Sequence, residues 1–225
     1  MILCGFFMII DLSFLGANIS KIVDGGWVPL AVGLIIFTIM TTWKSGRKLL
    51  GERIVGQVIT LKKFLETIEG NKTVRTPGIA VYMTSGTENA PFALINTYTH
   101  FKAVHENLVF LYVTTEVTPH VEKSKRIEIK NIGQGCHIIM IHYGYMDDIN
   151  IPREIEGLNV GDMILKSNEI TYFIGKENVF ATELPGMAIW REKLFAFQLA
   201  NSQDATTYFQ LPRKRVMEIG IQVEL

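Results

Sequence analysis

The chain carries five histidines, two cysteines and 22 acidic side chains, and their spacing decides which of them could do chemistry together. His100 and His105 are five apart, off a common helical face, whereas a zinc-binding helix sets its ligands three or four apart. His137 and His142 repeat that spacing inside a β-like run, which sends them to opposite faces of a sheet. Asp147 with Asp148, and Glu154 with Glu156, supply carboxylates for acid and base roles, but the sequence shows no partner that would tune their acidity. They read as a solvated loop or the start of a helix. No nucleophile elbow, P-loop or dinucleotide fingerprint is present. Gly133 and Gly135 precede a strand pattern where a phosphate cradle needs a helix, so they read as turn residues. Cys4 and Cys136 lie in segments of opposite polarity, and no disulfide or metal framework follows. The expectation is a protein that is not an enzyme, with no cofactor and no metal site.

Asp11 is different, because the segment around it is apolar. Residues 1–43 contain three charged side chains, Asp11, Lys21 and Asp24, while an ordinary globular mixture takes over from Lys44 onward. An ionisable group in such a segment is costly; it either pairs with neighbouring helices or takes part in transport. Two spans are expected, at about residues 1–19 and 25–43, separated by the turn-like SKIVDGG. At about 1.5 Å per residue the second would cover roughly 28 Å, close to the hydrocarbon thickness of a bilayer. Trp27 and Trp43 fall where indoles favour the membrane interface, and Pro29 falls in the first turn, where its missing N–H breaks no bond. Lys44, Arg47 and Lys48 close the span, with Arg53 beyond, while the preceding loop offers only Lys21. That bias places the carboxyl side in the cytoplasm. A buried core helix competes for the second span, and a signal peptide competes for residues 1–17. The length and flanks argue against the first, and the absent basic leader and the following span against the second.

Beyond the membrane, residues 44–69 read as an amphipathic linker helix, with Leu50, Ile54, Val58, Leu61, Leu65 and Ile68 spaced by three and four. Its basic residues, including Arg53, Lys62 and Lys63, could rest on anionic headgroups or the helix could pack on its own domain. The stretch at 70–78 reads as the boundary of an α/β domain over residues 70–225. Its pattern predicts a strand in GIAVYMTS, a helix from Phe92 through His105, and a strand in NLVFLYVTT, which together make a parallel crossover. The run RIEIKNIGQGCHIIMIHYGY predicts a hairpin, so the sheet is expected to be mixed. A strand in ITYFIG, a helix packed on the sheet through Ile189, Leu194, Phe197 and Leu199, and a half-exposed final strand in EIGIQVEL complete the domain. The fold class is thus a membrane helical hairpin followed by an α/β cytosolic domain with a mixed sheet. Lys and Arg equal Asp and Glu at 22 each, so no nucleic-acid partner is expected.

Several ordered motifs carry a resemblance over nearly the whole chain: IIDLSFLGANISKIVDGGWVPL, FTIMTTWKSGR, RTPGIAVYMTS, PFALINTYTHFKAVHENLVFLYV, YGYMD and LPRKRVMEIGIQVEL. With them the chain resembles the carboxyl-terminal portion of the Kup potassium uptake proteins, relatives of the HAK and KT transporters. The resemblance implies a multi-pass transporter of the bacterial inner (plasma) membrane that imports potassium with protons. The two spans would correspond to its last two helices, the remainder to its cytosolic domain, and the expected partners are lipid and upstream transporter helices. It carries no potassium-coordinating residue onto this sequence. Asp11, Asn18 and Lys21 match the stretch around the penultimate helix, where packing or topology is their first expected role. The resemblance also implies a homodimer through the cytosolic domain and, in some bacterial members, sensing of a cyclic dinucleotide, for which the glycine pattern offers no independent site. A regulatory or dimerisation module without transport activity of its own is the alternative reading.

Overall fold

The computed structural model describes residues 2–55, 59–70 and 73–225. Two apolar helices come first, α1 (Ile2–Ile19) and α2 (Trp27–Val55). A 3-10 turn at Ser20–Ile22 and a tight bend join them, and in the bend the Gly26 N–H donates to the Lys21 carbonyl at 2.8 Å. A Cβ on Gly26 would sit 2.8 Å from that same oxygen, so only glycine fits. Polar side chains within the apolar stretches bond back to their own helices: Ser13 to the Ile9 carbonyl, Asn18 to Phe14, Thr38 to Leu34 and Thr41 to Phe37, each at 2.8 Å. Such back-bonding satisfies a hydroxyl or amide without water. Among the described residues, α2 is the one helix long and apolar enough to cross a membrane by length and composition; the apolar part of α1, Cys4–Ile19, is shorter.

The single linker helix expected over 44–69 is instead two. Helix α2 runs unbroken past Lys44 to Val55, and a separate helix, α3 (Leu61–Gly70), follows. Val58 lies outside the described residues. Leu50 and Ile54 pack in one cluster, whereas Leu61, Phe64, Leu65 and Ile68 pack in another beneath the sheet. The two sets keep one helical spacing across the break, which is why periodicity alone joined them. Lys62 and Lys63 point to solvent from α3, whose apolar face is taken by its own domain.

Strand β1 (Val74–Thr84) already begins inside the expected boundary stretch, of which Asn71 and Lys72 lie outside the described residues. Helix α4 (Phe92–Phe101) leads to β2 (Ala103–Glu116). The expected helix through His105 therefore stops four residues early. Lys102 takes a left-handed conformation (φ 52°) and its N–H donates to the Tyr98 carbonyl, a helix stop that carries no glycine in the sequence. Next come the hairpin β3 (Ile127–Gly133) and β4 (Cys136–Gly144), α5 (Ile151–Ile155), and the short pair β5 (Asn159–Val160) and β6 (Met163–Ile164). The chain closes with β7 (Ile170–Phe180), α6 (Ile189–Ala200), α7 (Ala205–Tyr208) and β8 (Val216–Glu224).

Six strands form one sheet in the order β3-β4-β2-β1-β7-β8. All neighbours are parallel except β3 with β4, so the sheet is mixed and β1-α4-β2 is a parallel crossover. The inner strands bury both faces. Ala80, Tyr82, Leu108, Phe110, Ile138 and Met140 meet α3 and α4 on one side, while Val81, Val109, Leu111, Ile139 and Ile141 meet α5 and the Leu211 segment on the other. Continuous apolar runs are what a parallel strand covered on both faces requires.

Candidate functional site

The residues that the sequence singled out for chemistry do not converge. His100 ends α4 and His105 lies in β2, where its ring meets Phe173 at a centroid distance of 5.7 Å. His137 faces Gly161 on one side of β4, whereas His142 Nδ1 lies 2.9 Å from Glu116 on the other. Burial lowers the pKa of His105, and that of His137 against an opposing pull from Asp162. Among the described residues no group of three or more His, Cys, Asp or Glu is placed to hold a metal. Gly133, Gln134 and Gly135 all have positive φ and form the β3-β4 turn.

Of the carboxylates read as a solvated loop or helix start, Asp148 and Glu156 are exposed and Glu154 lies in the first turn of α5, whereas Asp147 is largely covered and has partners that the sequence did not reveal, which corrects its reading as a solvated group. Asp147 Oδ2 accepts from the Gly144 N–H at 2.8 Å, the Val121 N–H at 3.1 Å and Arg126 at 3.1 Å, and His120 Nδ1 lies 2.8 Å from Oδ1. These bonds, His120's first, hold its carboxyl well below the usual carboxylate range. Arg126 also donates to Glu154 at 2.9 Å, Glu156 accepts from Ser167, and Asp148 accepts from Gln210 at 3.1 Å. The cluster staples the 118–126 loop to the end of β4. With its oxygens taken up by these bonds, the Asp147 carboxylate has an architectural role.

The junction between α2 and the α/β domain is the candidate functional site. Thr42, Gly46 and Leu50 recur every four residues along one face of α2. Phe195 of α6, fully buried, packs against Gly46, where any Cβ would collide with its ring. It meets Trp43 at 5.6 Å between centroids and shares a cluster with Leu50 and Leu225. Polar ties surround this contact. Arg191 Nε donates to the buried Thr42 hydroxyl at 3.1 Å, and Gln198 donates to the Ile39 carbonyl at 3.1 Å. Arg53 donates to the Pro185 carbonyl at 3.1 Å, and Arg47 pairs with Glu177 at 3.3 Å. Glu192, buried, accepts from the Thr182 and Met187 N–H groups and so fixes the loop lying along α2.

This arrangement places each expected membrane residue. Trp27 is exposed at the start of α2, whereas Trp43 is half-buried against Phe195. Lys44 is exposed, Arg47 reaches the domain, and Lys48 pairs with Glu52 one turn on at 3.8 Å. Asp11 is exposed midway along α1, with no ion-pair partner among the described residues; Asn18 accepts from Lys21 at 3.1 Å. The helix expected to pack on the sheet through Ile189, Leu194, Phe197 and Leu199 does pack against β7, with Leu199 in the cluster of Phe195, Val179 and Val223, but it buries Glu192 and Phe195 and leaves Ile189 and Phe197 exposed. The signal for this contact is the run of Thr42, Gly46 and Leu50, small or apolar at spacing four, which crosses the limit between the expected span and the expected linker helix.

A crevice of about 710 Å³ opens beside the junction, at the carboxyl end of β1 and against the middle of β7, between Thr84, Asn89, Gly175 and Glu177 with Arg47 of α2 in its wall. The chain leaves β1 toward β2 on one side, and β7 flanks β1 on the other. In open α/β sheets such a divergence of connections is where ligands bind.

Comparison with known proteins agrees with this division. The model for the K+ potassium transporter integral membrane domain matches residues 1–48, and that for the K+ potassium transporter C-terminal domain matches residues 77–225. A Geobacter sulfurreducens protein named "Probable potassium transport system protein Kup 1" is 43% identical over 97% of this chain and 35% of its own length. A Kup-named protein of Myxococcus xanthus is 39% identical over 98% of the chain and 34% of its own length, and one of Erythrobacter litoralis is 39% identical over 97% and 35%. No solved structure matches. The chain spans about a third of the length of these curated relatives. The match runs from the apolar helices through the junction into the mixed sheet, and the chain belongs to the Kup potassium transporter family as its carboxyl-terminal portion.

Proposed function

We propose that this chain is the carboxyl-terminal part of a transporter that takes up potassium across the plasma membrane as a proton symporter. The observation that carries this reading is the unbroken similarity to Kup-named relatives on both sides of the junction. Two helices cannot by themselves supply the repeated helical core and midplane site typical of secondary transporters, so transport belongs to the larger assembly. The basic bias of Lys44, Arg47, Lys48 and Arg53 over Lys21 supports an α/β domain on the cytoplasmic side of a bacterial inner membrane. Asp11, ionisable in an apolar helix, either pairs with upstream helices or serves the transport path.

The test is a chimera in which this chain replaces the matching third of the Geobacter sulfurreducens relative, expressed in a bacterium deficient in potassium uptake. The chimera is expected to import rubidium and the chain alone to import none. Rubidium uptake by the chain alone, or none by an inserted and folded chimera, would overturn the proposal. In the chimera, Asp11→Asn separates the two roles: lost uptake with normal membrane levels supports a place in transport, and lost membrane levels support pairing.

A regulatory role for the α/β domain is favoured by one observation, the presence of Arg47 in the wall of the switch-point crevice. A ligand filling that crevice would touch the membrane helix directly. Deleting residues 77–225 from the chimera should then change how uptake responds to cytoplasmic conditions, with rubidium flux retained.

A further inference from the structure

Helix α6 presents a second face that the domain does not cover. Ile189, Trp190, Lys193 and Phe197 fall at spacings of one, three and four along it, which gathers them on one side of a helix. Trp190 is 58% exposed and Phe197 66% exposed, while the opposite side carries the buried Phe195 and Glu192. An indole and a phenyl ring flanking a lysine whose stem can lie along apolar surface is the composition of a helix seated in a headgroup layer.

The level of this face relative to the membrane follows from its contacts with α2. Along α2 toward its carboxyl end, Ile39 is bonded by Gln198, Trp43 meets Phe195, Leu49 packs against Gly186, and Arg53 bonds Pro185. The two helices are therefore antiparallel, and α6 climbs α2 toward the bilayer. Its last turn reaches Ile39, four residues and about 6 Å inside Trp43. Both Ile39 and Trp43 lie within residues 1–48, matched to the integral membrane domain. At that level the outward side of α2 is itself apolar and open, with Met40 exposed. The uncovered face of α6 thus continues the lipid-facing surface of α2.

We propose that α6 docks on the lipid bilayer, with Phe197 deepest, at the boundary between headgroups and acyl chains, Lys193 one turn further out among the lipid phosphates, and Trp190 outermost, in the headgroup layer near the level of Arg47. The α/β domain is then held to the membrane at two places, the α2 crossing and the α6 face, and cannot swing freely below the bilayer. This rests on α2 being the membrane crossing, and the experiment carries its own control for that.

Single cysteines replace Leu34, Trp190, Phe197 or Lys130 in a background carrying Cys4→Ser and Cys136→Ala. Each is spin-labelled and reconstituted, both in this chain and in the chimera, in nanodiscs of phosphatidylethanolamine and phosphatidylglycerol. Collision rates are read with oxygen, which concentrates in lipid, and with a water-soluble nickel chelate. Labels at 190 and 197 are both expected to show oxygen-to-nickel ratios above that at Lys130 on outlying β3, the label at 197 several-fold above it and approaching that at Leu34, and the label at 190 in between. A lipid-like ratio at 34 with a water-like ratio at 190 and 197 would overturn the docking and leave the crossing intact. Water-like ratios at all positions would overturn both. Labels at 190 and 197 shielded from both reagents in the chimera would show that upstream helices cover the face, and would also overturn it.

Discussion

Helix α2 is one continuous helix in two surroundings. From Trp27 to Met40 its Leu, Ile, Phe and Met side chains are open on every side, with Leu34 and Phe37 each about two-thirds exposed. From Thr42 to Leu50 one face closes completely, and Thr42 and Leu50 are at most 1% exposed. The first part has the apolar girth that only lipid or other membrane helices satisfy. The second has a narrow seam of Thr42, Gly46 and Leu50 that fits a single ring, Phe195. The lesson is that hydrophobicity marks the membrane half, whereas spacing and side-chain size mark the half that grips the domain.

The sharpest way to break this contrast is Phe195→Ala. Removing a fully buried phenyl ring from the seam should cost about 3–5 kcal/mol, read as a lowered denaturation midpoint together with faster proteolysis between α2 and the domain. A loss confined to well under that range would mean that the seam does not hold the two together. The complementary change in the other half, Leu34→Arg, should leave the domain folded but disfavour insertion by about 2.5–3.5 kcal/mol, read as a reduced membrane-integrated fraction. Unchanged integration would contradict the lipid assignment of Trp27 to Met40.

These two halves also differ in how far the sequence disclosed them. The apolar run was legible because bilayer thickness and the cost of charge act on composition. The mixed sheet was legible too, since β-branched runs and the Gly133 and Gly135 turn mark strands and a hairpin locally. What escaped was each feature fixed by a distant partner. Phe195 and Phe197 are the same residue type two positions apart, and only the docking of α2 decides which is buried. The end of α4 at Lys102 escaped because a lysine there adopts a left-handed conformation usually left to glycine. Asp147 looked solvated because its donors His120 and Arg126 lie more than twenty residues away.

A smaller effect, away from the junction, tests whether the domain's stability is independent of the membrane half. Because hydrogen bonds depress the Asp147 carboxyl below its ordinary value of 3.8, its ionised form stabilises the fold fully above that value. This contribution is lost as pH falls through the lower folded value. Asp147→Asn should therefore flatten the acid limb of the stability curve below about pH 4 while leaving the α2 seam intact. An unaltered acid limb would show that the 118–126 staple is not what acid releases. The smallest change expected is from Arg47→Ala. Its pair with Glu177 is half exposed, so the loss should stay under about 1 kcal/mol, and a larger one would move the grip from the Phe195 seam to the rim.

The central claim is that the membrane helix and the α/β domain form one rigid unit through that seam. It is tested most directly by the distance distribution between spin labels at Leu34, in the membrane half, and Lys130, on outlying β3, with the chain in a bilayer. The account predicts a single narrow distribution that broadens in Phe195→Ala. A broad distribution in the unaltered seam, insensitive to that substitution, would contradict it.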